Sequence, residues 1–342
     1  MKKIISVLLV CLLLIGALSA CGSAKPEAPV VETASGEKPA QETVVAKLAH
    51  TAAADGCYQI GAEKFAELVY EKTDGAVKIE VYPNSQLGSD NEIYESLQMS
   101  AVQFDIAGFD GMGAFVPDVK IFNLPFLYSS REEVFSVLDS ELFKELTEQY
   151  LQYNIRFLGC FDAGFRQLQT TDTAINSIED LKGLKIRVPE DPAFMSAMEA
   201  LGAAPTPTAY SECFMSLQSG VIDGIEVPLD VFGGNGFGEV CKYFAYTNYI
   251  FNAPALYVAD DFYQSLTPEQ QQAIQDAAQE AIAYERQWIA ENEASVQAQI
   301  EEEWGVTFTH PDLAPFQEAC ATLHSECANP KLLAEIYSIL GR

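Results

Sequence analysis

Positive charge is scarce in this chain of 342 residues: 20 lysines and arginines face 49 aspartates and glutamates, a formal net charge of −29. So acidic a molecule repels phosphate backbones, which excludes nucleic acid as a partner and disfavours an anionic membrane face. Histidine is nearly missing as well, with only His50, His310 and His324, and no HExxH pair or GxSxG elbow occurs. The eight cysteines form no CxxC and no zinc-ligand spacing, so they read as scattered thiols. "GGNGFG" at 233–238 lacks GxGxxG spacing and follows no clear strand, which makes it a flexible loop. No catalytic constellation, metal site or cofactor cradle assembles from these pieces. The chain reads as a non-enzyme without cofactor.

Long apolar runs are also absent, except at the start. Lys2 and Lys3 precede an apolar stretch over 4–18 that meets "LSAC", ending at Cys21. A positive flank, a short hydrophobic run and small residues before a break predict a secretory signal over 1–20. The cysteine after Leu-Ser-Ala resembles the bacterial lipobox. That likeness implies lipidation of Cys21 and a membrane anchor facing the periplasm or the cell exterior. Residues 21–43 are rich in Pro, Ala, Glu and Ser without hydrophobic period and predict a flexible tether. Without Lys2 and Lys3, 18 basic residues remain against 49 acidic ones, a net of −31. An anionic ligand would have to be captured by a few local arginines against that background. There are six: Arg131, Arg156, Arg166, Arg187, Arg286 and Arg342.

What the remainder does contain is β-α-β grammar. "VVAKLAH" and "AVKIEVYP" alternate like strands on either side of a helical stripe of Phe65, Leu68 and Val69. "FDIAGFD" reads as an inner strand, and "REEVFSVLDSELFKELTEQYLQ" as one helix. The grammar restarts at "IRFLGCF", "LKIRVP" and "PAFMSAMEALG", while "NAPALYVAD" looks like a return to the first sheet. Two such segments in series predict two α/β lobes with a cleft between them. Thr267, Pro268 and Gln270 start a long helix that runs to Trp304, with Gly305 as its stop.

"LKGLKIRVPEDPAFMSAMEALGAAPTPTAYSECFMSLQSGVIDGIEVP" resembles the solute-binding proteins of tripartite ATP-independent periplasmic (TRAP) transporters. The likeness extends to "AEKFAELVYEKTDGAVKIEVYPNSQLGSD", "IFNLPFLYSSRE", "GFRQLQT" and "HPDLAPF". It implies a two-lobe periplasmic-binding-protein-like α/β fold, closing on an organic acid and crossed by the long helix. The lobes are expected at 44–163 with 252–291 and at 164–251 with 292–342. It also implies a TRAP-type membrane permease as partner. By this resemblance Arg187 binds the ligand carboxylate, where residues alone favour a solvated strand face. Arg166 matches a second cleft position or else is a salt-bridged hinge residue. Tyr210 lines the pocket or belongs to the core, and Glu190 sits at a variable contact position. Val227 stands where relatives commonly carry a ligand-contacting asparagine, which suggests a more apolar acid unless Thr51, Asn248 or Asn252 supplies the donor. Gly108 and Gly111 replace charged cleft residues of some members and suggest room for a bulkier ligand. A sensor subunit on the same fold, or less readily a surface enzyme acting on an organic acid, are the alternatives.

Overall fold

The computed structural model describes residues 43–109 and 111–342; the expected signal, the tether and Cys21 lie outside the described residues. The first two alternating runs become parallel strands, β1 (Val44–Ala49) and β2 (Val77–Tyr82). Between them, α1 (Cys57–Lys72) lays Phe65, Leu68 and Val69 into the core under the sheet. A capping box of Ser89 and Glu92 starts α2 (Asp90–Gln98), which leads to β3 (Phe104–Gly108). Next come α3 (Arg131–Leu138) and α4 (Glu141–Thr147), where the sequence predicts one helix. The break has a local cause: the Ser140 hydroxyl accepts from the Phe143 amide and so caps a new helix start. β4 (Ile155–Cys160) closes this half.

The second half contributes β5 (Gly164–Thr170), β6 (Lys185–Val188), α5 (Pro192–Ala200) and β7 (Ala204–Pro207). It continues through α6 (Cys213–Gln218), β8 (Gly224–Val227), α7 (Leu229–Gly234) and β9 (Tyr243–Asn252). After the single residue Ala253, β10 (Pro254–Ala259) returns antiparallel between β3 and β4. The first sheet is therefore ordered β2-β1-β3-β10-β4. The second is β11-β9-β5-β8-β6-β7, with β11 (Thr307–Thr309) on its edge. Two short strand links, 161–163 and Ala253, join the sheets, and the chain crosses once more through residues 260–304 to β11.

α8 (Asp260–Ser265) precedes the long helix α9 (Pro268–Trp304), which is unbroken for 37 residues, about 55 Å. Its first half buries Ile274, Ala277, Ala278 and Ala281 against the first sheet's core; its second half places Ile289 and Ile300 in the core of the second. Gly159 makes the close approach possible, since a Cβ there would stand 2.4 Å from Ile282 Cδ1. α10 (Ala314–Ser325) packs beside α5, through Phe316 and Cys320. α11 (Pro330–Ile339) instead returns Leu332, Leu333 and Ile336 to the cluster of Phe122, Val134 and Tyr150. This differs from the expected placement of the whole of 292–342 with the second lobe: α11 carries an apolar face that only the first lobe covers.

Where α9 passes the links, acid groups crowd together. The Asp162 amide donates to Glu285 Oε2 at 2.9 Å, while Oε1 has no hydrogen-bond partner among the described residues. Burial pushes the Glu285 carboxyl well above its usual range, Asp162 and Asp230 add to that, and the Asp162 amide and Arg286 oppose it. A carboxyl raised in the fold contributes stability at acid pH and loses it as pH rises through the folded value. Glu285→Gln is thus expected to melt higher than wild type at pH 8, with the difference shrinking towards pH 5. Thermal unfolding followed by circular dichroism across that range is the check.

Candidate functional site

Between the two sheets lies a cavity of about 120 Å³ with walls from both lobes. Thr51 follows β1, and Ser89 and Asp90 sit at the start of α2, so the first lobe presents short polar groups. The second lobe contributes strand and loop residues at the ends of β5, β6 and β8. All seven predicted contact residues, Arg187, Arg166, Tyr210, Glu190, Thr51, Val227 and Asn252, line this one cavity.

Arg187 is 4% exposed, so the solvated strand face does not apply. β6 pairs parallel with β7, and this register brings the loop carbonyl of Thr208 beneath the guanidinium. Nε and Nη2 donate to that oxygen at 2.9 and 2.7 Å, and the guanidinium lies 5.7 Å from the Tyr210 ring centre. Nη1 makes no hydrogen bond to a described residue. The contrast with the other arginines is sharp. Arg131 pairs with Asp162 and Glu293, Arg156 with Asp260, Arg286 with Asp139 and Arg342 with Glu133. Arg166 pairs with Glu226. Among the described residues, Arg187 is the one arginine without a carboxylate partner.

Arg166 occupies the wall in a different condition. Nε and Nη2 grip the two carboxylate oxygens of fully buried Glu226, Nη2 also donates to its carbonyl at 2.8 Å, and Nη1 donates to Asn252 Oδ1 at 3.0 Å. The Tyr249 hydroxyl donates to the same carboxylate. β5 and β8 are antiparallel with Leu168 opposite Glu226, so this pair stitches the sheet together behind the cavity. Arg166 is at once a wall residue and the salt-bridged residue of the alternative reading.

The remaining candidates are ordered by their neighbours. Thr51 donates to Asp90 Oδ1 at 3.0 Å, and Asn252 Nδ2 donates to the Tyr58 hydroxyl at 3.1 Å. Burial pushes the Asp90 carboxyl up, while Thr51 and Arg187 draw it down. Tyr210 sets its ring edge against Phe237 at 6.1 Å, and its hydroxyl has no partner among the described residues. Asn248 is not in this cavity; it lines a separate cleft with Arg131, Tyr246 and Glu293, and accepts from Gln167. Val227 does remove one polar contact, yet the opposite wall of Thr51, Ser85, Ser89, Asp90 and Asn91 is polar. A cavity so lined does not favour the apolar acid that Val227 alone suggests.

Sequence reasoning missed three acids. Glu226 could have been found as a charge inside the buried strand "GIEV", which demands a partner. Asp90 hides as an ordinary first-turn acid. Asp230 reaches across from α7 and accepts from the Cys57 amide at 2.8 Å, capping α1, whose own start offers no side-chain cap. Such a cap between lobes has no sequence signal.

Residues 48–331 match the family of bacterial extracellular solute-binding proteins, family 7. A solute-binding protein of Roseobacter denitrificans is 35% identical over 281 residues, covering 82% of this chain and 85% of its own length. The C4-dicarboxylate-binding periplasmic protein of Rhodobacter capsulatus is 33% identical over 294 residues, 84% of this chain and 87% of its own. The crystal structure of a TRAP periplasmic solute-binding protein of Xanthobacter autotrophicus, with bound β-D-galacturonate, superposes with a TM-score of 0.82 at 30% identity. That match covers 86% of this chain and 98% of the other.

Removing Glu226 would strand the Arg166 charge in the sheet. Glu226→Ala is expected to cost about 3–5 kcal/mol of stability, the range for breaking one side of a buried pair. Urea denaturation of the ligand-free protein measures it; a loss under 1 kcal/mol would contradict a structural role.

Proposed function

The chain belongs to the bacterial extracellular solute-binding protein family 7, and on that premise we propose that it captures an organic carboxylate between its lobes and delivers it to a TRAP-type permease. Arg187 is the clamp. One observation supports this above the rest: in a chain with 49 acidic residues, the single arginine lacking a carboxylate partner among the described residues lines the inter-lobe cavity. A ligand carboxylate would supply the missing counter-charge. Arginine suits the task because its planar fork stays charged and meets two oxygens at once. Thr208 and the Tyr210 ring hold that fork in place before any ligand arrives, which lowers the ordering cost of binding.

Arg166, already neutralised by Glu226, orients Asn252 and shapes the wall. Asn252, Thr51, Tyr210 and Glu190 complete the contacts, with Val227 as an apolar flank. The short links at 161–163 and Ala253 serve as the hinge, and the two sheets are the bodies that move. The lobes comprise 44–163 with 252–291, and 164–251 with the chain that follows 291 as far as α10; α11 joins the first lobe. "LSAC" and its flanks support export and lipidation at Cys21, so that the body is held at the outer face of the membrane by its tether. The ligand leaves unchanged.

A charge-assisted hydrogen bond of this kind contributes about 1.5–3 kcal/mol. Arg187→Ala is accordingly expected to weaken binding of the bound acid about 10- to 150-fold, at roughly 1.4 kcal/mol per tenfold. The melting temperature of the ligand-free protein should stay near wild type. Calorimetric titration with D-galacturonate, L-galactonate and succinate tests this, and unchanged affinity for whichever acid binds would sink the clamp.

A further inference from the structure

We propose that Lys120 and Asp191 form a latch at the edge of the inter-lobe cavity, one that sets how fast a captured solute is released. This rests on the reading above, in which the lobes close on a carboxylate held by Arg187. Lys120 lies in the short helical stretch Pro117–Asn123 of the first lobe, and its Nζ stands 3.5 Å from Asp191 Oδ2 on the second. Each partner is fixed by its own lobe. Val119 and Ile121, on either side of Lys120, are buried in the first lobe's core. The lysine stem runs against Gly113, where a Cβ would come within 2.3 Å of Lys120 Cε and 2.7 Å of Cγ. Glycine at that position keeps the path of the side chain open.

Asp191 is held at least as firmly. It caps α5, with Oδ1 accepting from the Ala193 amide at 2.6 Å, and it is 6% exposed. The cap keeps the carboxylate in one orientation and leaves Oδ2 towards Lys120. Pro189 and Glu190 alone separate Asp191 from β6, the strand that carries Arg187. The second lobe therefore cannot withdraw the clamp from the first without parting the pair. Asp191 lines the cavity, but Lys120 does not. A solute inside meets no ammonium from Lys120, so the lysine acts on release through the lobes and not by contact. Its chemistry suits a latch better than a lock. The ammonium is a strongly hydrated point charge on a side chain 31% exposed, and it exchanges Asp191 for water at small net cost.

Release is read by loading the protein with labelled D-galacturonate, L-galactonate or succinate and chasing with the unlabelled acid. Lys120→Met should raise the dissociation rate constant about 3- to 10-fold, the range for one partly exposed charged contact. The factor should be the same for each acid that binds, because no contact with the solute is lost. Asp191→Asn, which keeps the cap, should speed release as well, and the double variant should release no faster than the faster single one. The melting temperature of ligand-free Lys120→Met should stay near wild type. Release from Lys120→Met within about 1.5-fold of wild type, single effects that multiply in the double variant, or factors that differ more than about 3-fold between acids would each overturn the latch. If none of the three acids binds, clamp and latch fall together. If Arg187→Ala loses binding while Lys120→Met releases at the wild-type rate, the clamp stands and only the latch falls.

Discussion

An uncompensated guanidinium is the constraint around which this molecule is arranged. With acids outnumbering bases more than two to one, any arginine has carboxylates to hand, and five of the six take them. Arg187 is kept from doing so by its backbone. β6 is held between β8 and β7, and the loop after β7 offers a carbonyl, not an acid, to Nε and Nη2. A neutral acceptor holds the side chain without cancelling its charge. The cost of a desolvated cation is met only in part by the Thr208 oxygen and the Tyr210 face.

The architecture around it serves the same end. Two short links between sheets permit relative movement, while α9 crosses both cores and limits it. Some contacts that reach from lobe to lobe are polar, with Asp230 capping α1 and Lys120 meeting Asp191, beside the apolar contact of Phe135 with Phe251. Polar contacts of this sort exchange for water at modest net cost, whereas an apolar interface would resist opening. The buried Arg166–Glu226 pair belongs to the rigid side of the balance, because it fixes β5, β8 and Asn252 as one unit.

Much of this was legible in the residues. Alternation in "VKIEVY" and "LKIRVP", the capping box at Thr267 and Gln270, and the stop at Gly305 are local signals, and the structure realises each. The seven residues expected on the cleft all reach it, largely because strand ends and the loops after them share one rim. What escaped was non-local. The 131–152 stretch has helical composition throughout, and only the geometry of Ser140 divides it. The destination of α11 depends on which lobe leaves an apolar groove for Leu332 and Ile336. The partner of Glu226 lies 60 residues away on a neighbouring strand. Periodicity carries no information about such pairings.

The exchange at Val227 shows why a site is read as a whole. Taken singly, loss of an amide from the wall means a less polar ligand. Yet a cavity binds through its whole perimeter, and the first lobe restores with Thr51, Ser89 and Asp90 what the second lobe gives up. The long-range field of a chain at −29 slows every anion's approach, and only a cation held locally can offset it.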